Sequence, residues 1–186
     1  MASEKQVALF SSRPPHAPHK ASAGKMPVAL FIGRFQPLHN GHLFALKWIA
    51  ARSAKVLVVI GSAQEKRTLK NPFSARERLS MMKAVLASEK LPRMCRVFLL
   101  QDTPNDYEWV SYLDAHVPRY DVCYSNNPLV LKLMRRSGKE VCRVPLLARA
   151  KYRGEKIRER MRKGKEWKSL VSEAARNGIG RHIYKD

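Results

Sequence analysis

His39 and His42 stand three residues apart at the end of the stretch Gly33-Arg34-Phe35-Gln36-Pro37-Leu38-His39-Asn40-Gly41-His42. These residue types suit an anion. Gly33 and Gly41 carry no side chain to hold a phosphate away. Arg34 can fork onto phosphate oxygens. Two imidazoles can donate hydrogen bonds to a polyphosphate as charge builds on it. The stretch follows an apolar run, residues 28–32, that reads as a buried strand. It precedes a helical pattern over residues 43–52. It is therefore a strand-to-helix turn, where free N–H groups and the helix dipole favour negative charge. Two histidines at a helix start are more often surface or capping residues. The strand, glycines and arginine around this pair favour the functional reading. Neither a GKS/GKT nor a GxGxxG is present, so this is not a P-loop or a dinucleotide glycine loop.

The rest of the chain supplies elements to position that turn. Apolar strands are expected over residues 55–60, 97–100, 120–124 and 141–144. Between them lie amphipathic helices. One opens with the capping box Ser74-Ala75-Arg76-Glu77 and runs to about Ser88. A second is capped by Asp106 and carries Trp109. A third starts at Pro128 and stops at Gly138. Two terminal helices are expected over residues 154–161 and 165–176. Alternating buried strands and helices predict an α/β, Rossmann-like doubly wound parallel sheet of about five strands, with two C-terminal helices. Ligands in such sheets bind beyond the carboxyl ends of the strands. The stretches 33–42, 61–64 and 125–128 all fall at such ends, which predicts one cleft collecting them.

The decamer GRFQPLHNGH resembles the HxGH signature of the nucleotidylyltransferase superfamily. Its extended form resembles the archaeal type of nicotinamide mononucleotide (NMN) adenylyltransferase. The strings GSAQ (61–64), NPFSARER (71–78) and YSNNPLV (124–130) are similar to that family in order and spacing, over residues 27–175. The resemblance implies that the NMN phosphate attacks the α-phosphorus of ATP, giving NAD and pyrophosphate, with Mg²⁺ delivered on ATP. It also implies a homo-oligomer, often a hexamer in that family. Catalytic roles on the ATP phosphates fall to His39, His42 and Arg158. Nucleotide-binding roles fall to Gly33, Arg34, Phe35, Gln36, Gly41, Gly61, Ser62, Lys70, Asp102, Trp109, Asn126, Pro128 and Gly154. The Trp109 indole can stack on a cationic nicotinamide ring. Lys70 reads equally as a solvated loop lysine, and Arg76 and Arg78 equally as surface residues or ligands. The late string departs from the family, which commonly has Ser-Gly-Thr where Arg153-Gly154-Glu155 stand. Arg153 could replace a hydroxyl contact with a charged one. A Glu155 carboxylate beside polyphosphate is unfavourable unless Lys156, Arg158 or a metal offsets it. The competing readings are another phosphate acceptor on the same fold and a catalytically weak nucleotide sensor.

Composition bounds the rest. A chain of 186 residues with 45% hydrophobic content is long enough for one domain with a full core. Apolar runs are too short to span a membrane, and the start lacks a signal-peptide centre, so a cytoplasmic protein is expected. Cys95, Cys123 and Cys142 sit in or beside expected strands without a CxxC pair, and read as core thiols. The net charge of +21 fits nucleic acid, a membrane surface or polyanionic small substrates. Without a recognition-helix module or RNA-binding signature, no specific nucleic acid is expected. No His/Cys/carboxylate cluster has fixed-metal spacing. Residues 1–25, rich in proline and polar residues, are expected to be a disordered extension ahead of a domain over 26–186.

Overall fold

The computed structural model describes residues 25–148 and 150–179. The expected disordered extension lies, but for Lys25, outside the described residues. Strands and helices alternate as β1 (Val28–Gly33), α1 (Asn40–Ala50), β2 (Lys55–Ile60), α2 (Ala75–Ser88), β3 (Cys95–Leu99), α3 (Trp109–His116), β4 (Val122–Tyr124), α4 (Pro128–Arg136) and β5 (Val141–Cys142). α5 (Gly154–Arg162), a 3-10 turn (Lys168–Leu170) and α6 (Glu173–Asn177) follow. The five strands form one parallel sheet in the order β3-β2-β1-β4-β5.

Both faces of the sheet are covered, which is why its central strands read as unbroken apolar runs. Side chains alternate across a strand. Phe31, Val58 and Tyr124 point to a core closed by α1, α2, α5 and α6, in which Trp48, Met81, Met82 and Ile157 are buried. Leu30, Leu57 and Cys123 point to the other core, closed by Val110 and Leu113 of α3 and Val130 and Met134 of α4. Each fully buried Val, Leu or Ile contributes roughly 1.5–3 kcal/mol over an exposed one. All three cysteines are buried free thiols, as expected.

The helix starts follow their capping chemistry. Ser74 Oγ accepts the Glu77 N–H at 3.3 Å, while Glu77 Oε2 accepts the Ser74 N–H at 2.7 Å. Asn127 caps α4 with Pro128 in its first turn, and Gly138 stops it at φ 70°. Two expectations need correction. Asp106 does not cap α3: Asn105 Oδ1 takes the Glu108 N–H at 3.0 Å, so the chain turns there and the helix begins at Trp109. The helix expected over 165–176 is divided. Extended backbone at Val171 lets Leu170 and Val171 both bury, and Ser172 then caps the short α6.

Gly178, at the end of α6, touches α2. A Cβ there would lie 2.8 Å from the Met81 backbone nitrogen. Backbone cannot swing aside as a side-chain tip can. Gly178→Ala is expected to destabilise the fold by about 1–3 kcal/mol, read as a lower melting temperature. Turnover per folded molecule stays unchanged.

The chain winds from β1 outward to β2 and β3, then returns to β4 and β5 on the other side of β1. That reversal opens a crevice at the carboxyl ends of β1 and β4.

Candidate active site

A cleft of about 840 Å³ occupies the crevice, lined by loops that follow all five strands and by the start of α5. The expected convergence of the first, second and fourth loops is present. The loops after β3, with Asp102 and Thr103, and after β5, with Val144 to Leu147, complete it.

The histidine turn is a capping box made of two imidazoles. His39 is the N-cap of α1. Its Nδ1 accepts the His42 N–H at 3.3 Å, and His42 Nδ1 accepts the His39 N–H at 3.4 Å. A neutral imidazole whose Nδ1 accepts carries its proton on Nε2. Capping does not consume the pair: one ring nitrogen of each histidine caps and the other is left as a donor. The rings stack with centroids 3.7 Å apart. Gly41 suits this packing, since a Cβ would lie 3.1 Å from the His39 ring and 3.0 Å from Tyr152 Cβ, and those neighbours would have to give way. A Cβ at Gly33 would meet the Phe35 ring at 2.9 Å. Phe35 holds a left-handed backbone, φ 51°, and presents its ring edge-on to His42 at 5.0 Å.

Both histidines are held neutral at pH 7. Burial, reinforced by the Arg158 charge, lowers the His39 pKa to about 4. Burial and then His39 lower His42 well below its ordinary value. Arg158, on α5, donates to the Gln36 carbonyl at 2.8 Å. Gly154 lets the start of α5 approach, with a would-be Cβ 3.2 Å from the Arg158 guanidinium and 4.0 Å from His39 Nε2.

Other expected residues fall in different places. The Gln36 side chain is spent on the Phe73 backbone, with bonds of 2.8 and 2.9 Å, so it braces the turn. Arg34 lines the cleft and reaches Asn71 Oδ1 at 3.4 Å. Asp102 accepts from Ser62 Oγ at 3.1 Å and from Gln64 Nε2 at 2.9 Å, joining the loops after β2 and β3. Gly61, Trp109 and Asn126 line the cleft. Pro128 does not, although Asn127 and Leu129 beside it do. Lys70 is exposed on the loop before α2 and is not part of the cleft wall. Arg76 is exposed, whereas Arg78 is fully buried. Arg153 and Glu155 both reach the cleft as an exposed pair 3.7 Å apart, so the unfavourable carboxylate has a cation beside it. Sequence reasoning missed Asn71, Gln64 and Tyr152. Their signal was membership of the GSAQ and NPFSARER strings for Gln64 and Asn71, and a place just before Arg153 for Tyr152.

Residues 30–160 match the cytidylyltransferase-like family. The nicotinamide-nucleotide adenylyltransferase of Methanolobus tindarius is 43% identical over 149 residues, covering 80% of this chain and 85% of that relative. The enzyme of the same name from Halorubrum lacusprofundi is 42% identical over 143 residues, covering 77% and 80%. The chain belongs to the nicotinamide-nucleotide adenylyltransferase family. The fold agrees with a bifunctional NMN adenylyltransferase/ADP ribose pyrophosphatase from Francisella tularensis, at TM-score 0.66 and 23% identity over 77% of this chain and 44% of that one. A second structure of that bifunctional protein, complexed with AMP and a Mn ion, aligns at TM-score 0.64 and 19% identity over 82% of this chain and 51% of that one. Among the described residues no helix is long and apolar enough to cross a membrane.

In this nicotinamide-nucleotide adenylyltransferase the buried neutral histidine carries a linkage to acid. Between pH 6.5 and about 4 an unfolded His39 binds a proton that the folded one does not. Stability from this group is therefore whole above pH 6.5 and declines as pH falls towards 4. The loss is on the order of 3 kcal/mol. Urea titrations at pH 7 and pH 4.5 should show a larger drop for the wild type than for His39→Asn, which lacks the titrating group.

Proposed function

We propose that the chain condenses NMN with ATP to give NAD and pyrophosphate. An NMN phosphate oxygen bonds to the α-phosphorus while the bond from that phosphorus to the bridging oxygen of pyrophosphate breaks. Such chemistry needs positioning and charge stabilisation more than a protein nucleophile. The observation that carries the reading is the capping box: it leaves two neutral Nε2–H donors on one turn, with Arg158 beside them. Donors already aimed need no reorganisation as charge moves to the leaving pyrophosphate.

The order of the loops supports the same substrates. Asp102 and Trp109 follow β3, the histidines follow the central β1, and Asn126 follows β4. A dinucleotide laid along the sheet edge would pass from nicotinamide through phosphates to adenosine in that order. Asp102 is bonded to Ser62 and Gln64, and Glu155 to Arg153. Mg²⁺ is read as part of the ATP substrate. A homo-oligomer, a cytoplasmic location and no specific nucleic-acid partner go with this reading; sedimentation and cell fractionation test the first two.

The deciding assay is pyrophosphate release from MgATP with NMN, nicotinate mononucleotide, pantetheine phosphate and flavin mononucleotide offered in parallel. NMN is expected to turn over. Turnover with another acceptor alone would move the assignment to that acceptor. Tight ATP binding without release would leave a nucleotide sensor.

A further inference from the structure

Arg78 is the one charged residue of the NPFSARER string that is fully buried, and the reaction leaves it unused. Its guanidinium donates from Nη1 to the carbonyls of Arg34 at 3.0 Å and Gly61 at 2.7 Å. Nη2 reaches the Ser62 carbonyl at 2.9 Å, and Nε the Ser74 carbonyl at 3.3 Å. Among the described residues no carboxylate forms an ion pair with it. Burial, and then the Arg34 charge, lower its pKa to about 10, so it remains a cation at pH 7.

The gripped carbonyls mark strained backbone. Phe35, just after Arg34, stands at φ 51°, and Ser62 at φ 49°. Left-handed backbone costs a residue with a Cβ free energy, and it persists only where its surroundings impose it. The two strained residues lead straight to the cleft. Phe35 sets its ring against His42. The Ser62 hydroxyl holds Asp102. Both carbonyl ends are bound by one planar fork, so the loops after β1 and β2 cannot shift independently.

From this geometry we infer that Arg78 is a positioning residue for adenylyl transfer, fixing the histidine turn relative to the Ser62–Asp102 side of the cleft. The inference rests on the reaction proposed above for its kinetic arm. It acts through Phe35 and Ser62 and needs no contact with substrate. Small misplacement of reacting groups in such a site lowers rate by about 100-fold.

The test compares wild type with Arg78→Met, Arg78→Lys and the exposed neighbour Arg76→Ala, at a temperature where circular dichroism shows each folded. The readouts are kcat, KM for each substrate and calorimetric affinity for a non-hydrolysable ATP analogue. Arg78→Met is expected to lose about 100-fold in kcat and about tenfold in analogue affinity through the displaced turn. Arg78→Lys keeps the charge but has no planar fork to span the carbonyls, so it recovers part of the rate. Arg76→Ala matches wild type. A lower melting temperature with kcat, KM and affinity unchanged in the Arg78 variants would make Arg78 a plain structural brace and overturn the inference. Should Arg78→Met fail to fold, Arg78→Lys decides by the same readouts. Should wild type release no pyrophosphate with NMN, the proposed reaction fails and calorimetry alone decides: unchanged affinity overturns the inference, weakened affinity upholds it.

Discussion

His42→Asn is expected to fold like the wild type and to lose about 10²–10³-fold in kcat. The side-chain oxygen of asparagine sits near the place of Nδ1 and can still accept the His39 N–H. It offers nothing at the place of Nε2. The variant thus keeps the cap and removes the donor. His42→Gln reverses the choice: its amide can reach towards the Nε2 position but leaves the cap open. That substitution should cost about 0.5–2 kcal/mol of stability, as for a lost N-cap, and retain more activity than His42→Asn. The paired measurement is kcat alongside a thermal melt for both variants. A His42→Asn enzyme as fast as wild type would mean that the imidazoles only cap the helix.

Arg158→Met is expected to lower kcat by about 10²-fold, since one charged donor near the developing pyrophosphate is gone. A second effect separates charge from shape. The Arg158 cation is the lesser of two influences that depress the His39 pKa, burial being the greater. Without it the His39 pKa rises from about 4, yet stays below its ordinary value because the ring remains buried. The acid limb of the pH–rate profile, where neutral His39 is lost, therefore moves to higher pH in Arg158→Met. A reduced rate with an unmoved acid limb would show that Arg158 does not act on His39.

Much of this was legible in the chain, because local chemistry agreed with the global fold. The decamer from Gly33 to His42 announced a strand, a turn and a helix. Ser74 and Glu77 announced their helix to the residue. Pro128 and Gly138 bounded theirs as helical stereochemistry demands. What stayed hidden was tertiary. Gln36 lines the cleft as expected, but the sequence does not show that its amide is bonded to the Phe73 backbone. Lys70 looks basic enough to bind phosphate, but its loop keeps it off the cleft wall. Arg78 had a readable signal that its charge masked. It precedes Met82 and Val85 by four and seven residues, the spacing of a buried helical face. The break in the terminal helix was unreadable because Leu170 and Val171 find their partners far away in sequence.

That distant return has a consequence for how the enzyme is made. Arg158 bonds to Gln36 across 122 residues, and Asn40 bonds to the Ser169 carbonyl across 129. The turn after β1 is thus completed by a helix that follows the last strand of the sheet. A nascent chain halted after β5 would own every described strand of the sheet, and both histidines, yet lack the Arg158 cation and the start of α5 that completes the cleft wall. It should be inert toward ATP. The cleft is whole only once α5 has been made and has docked against the turn.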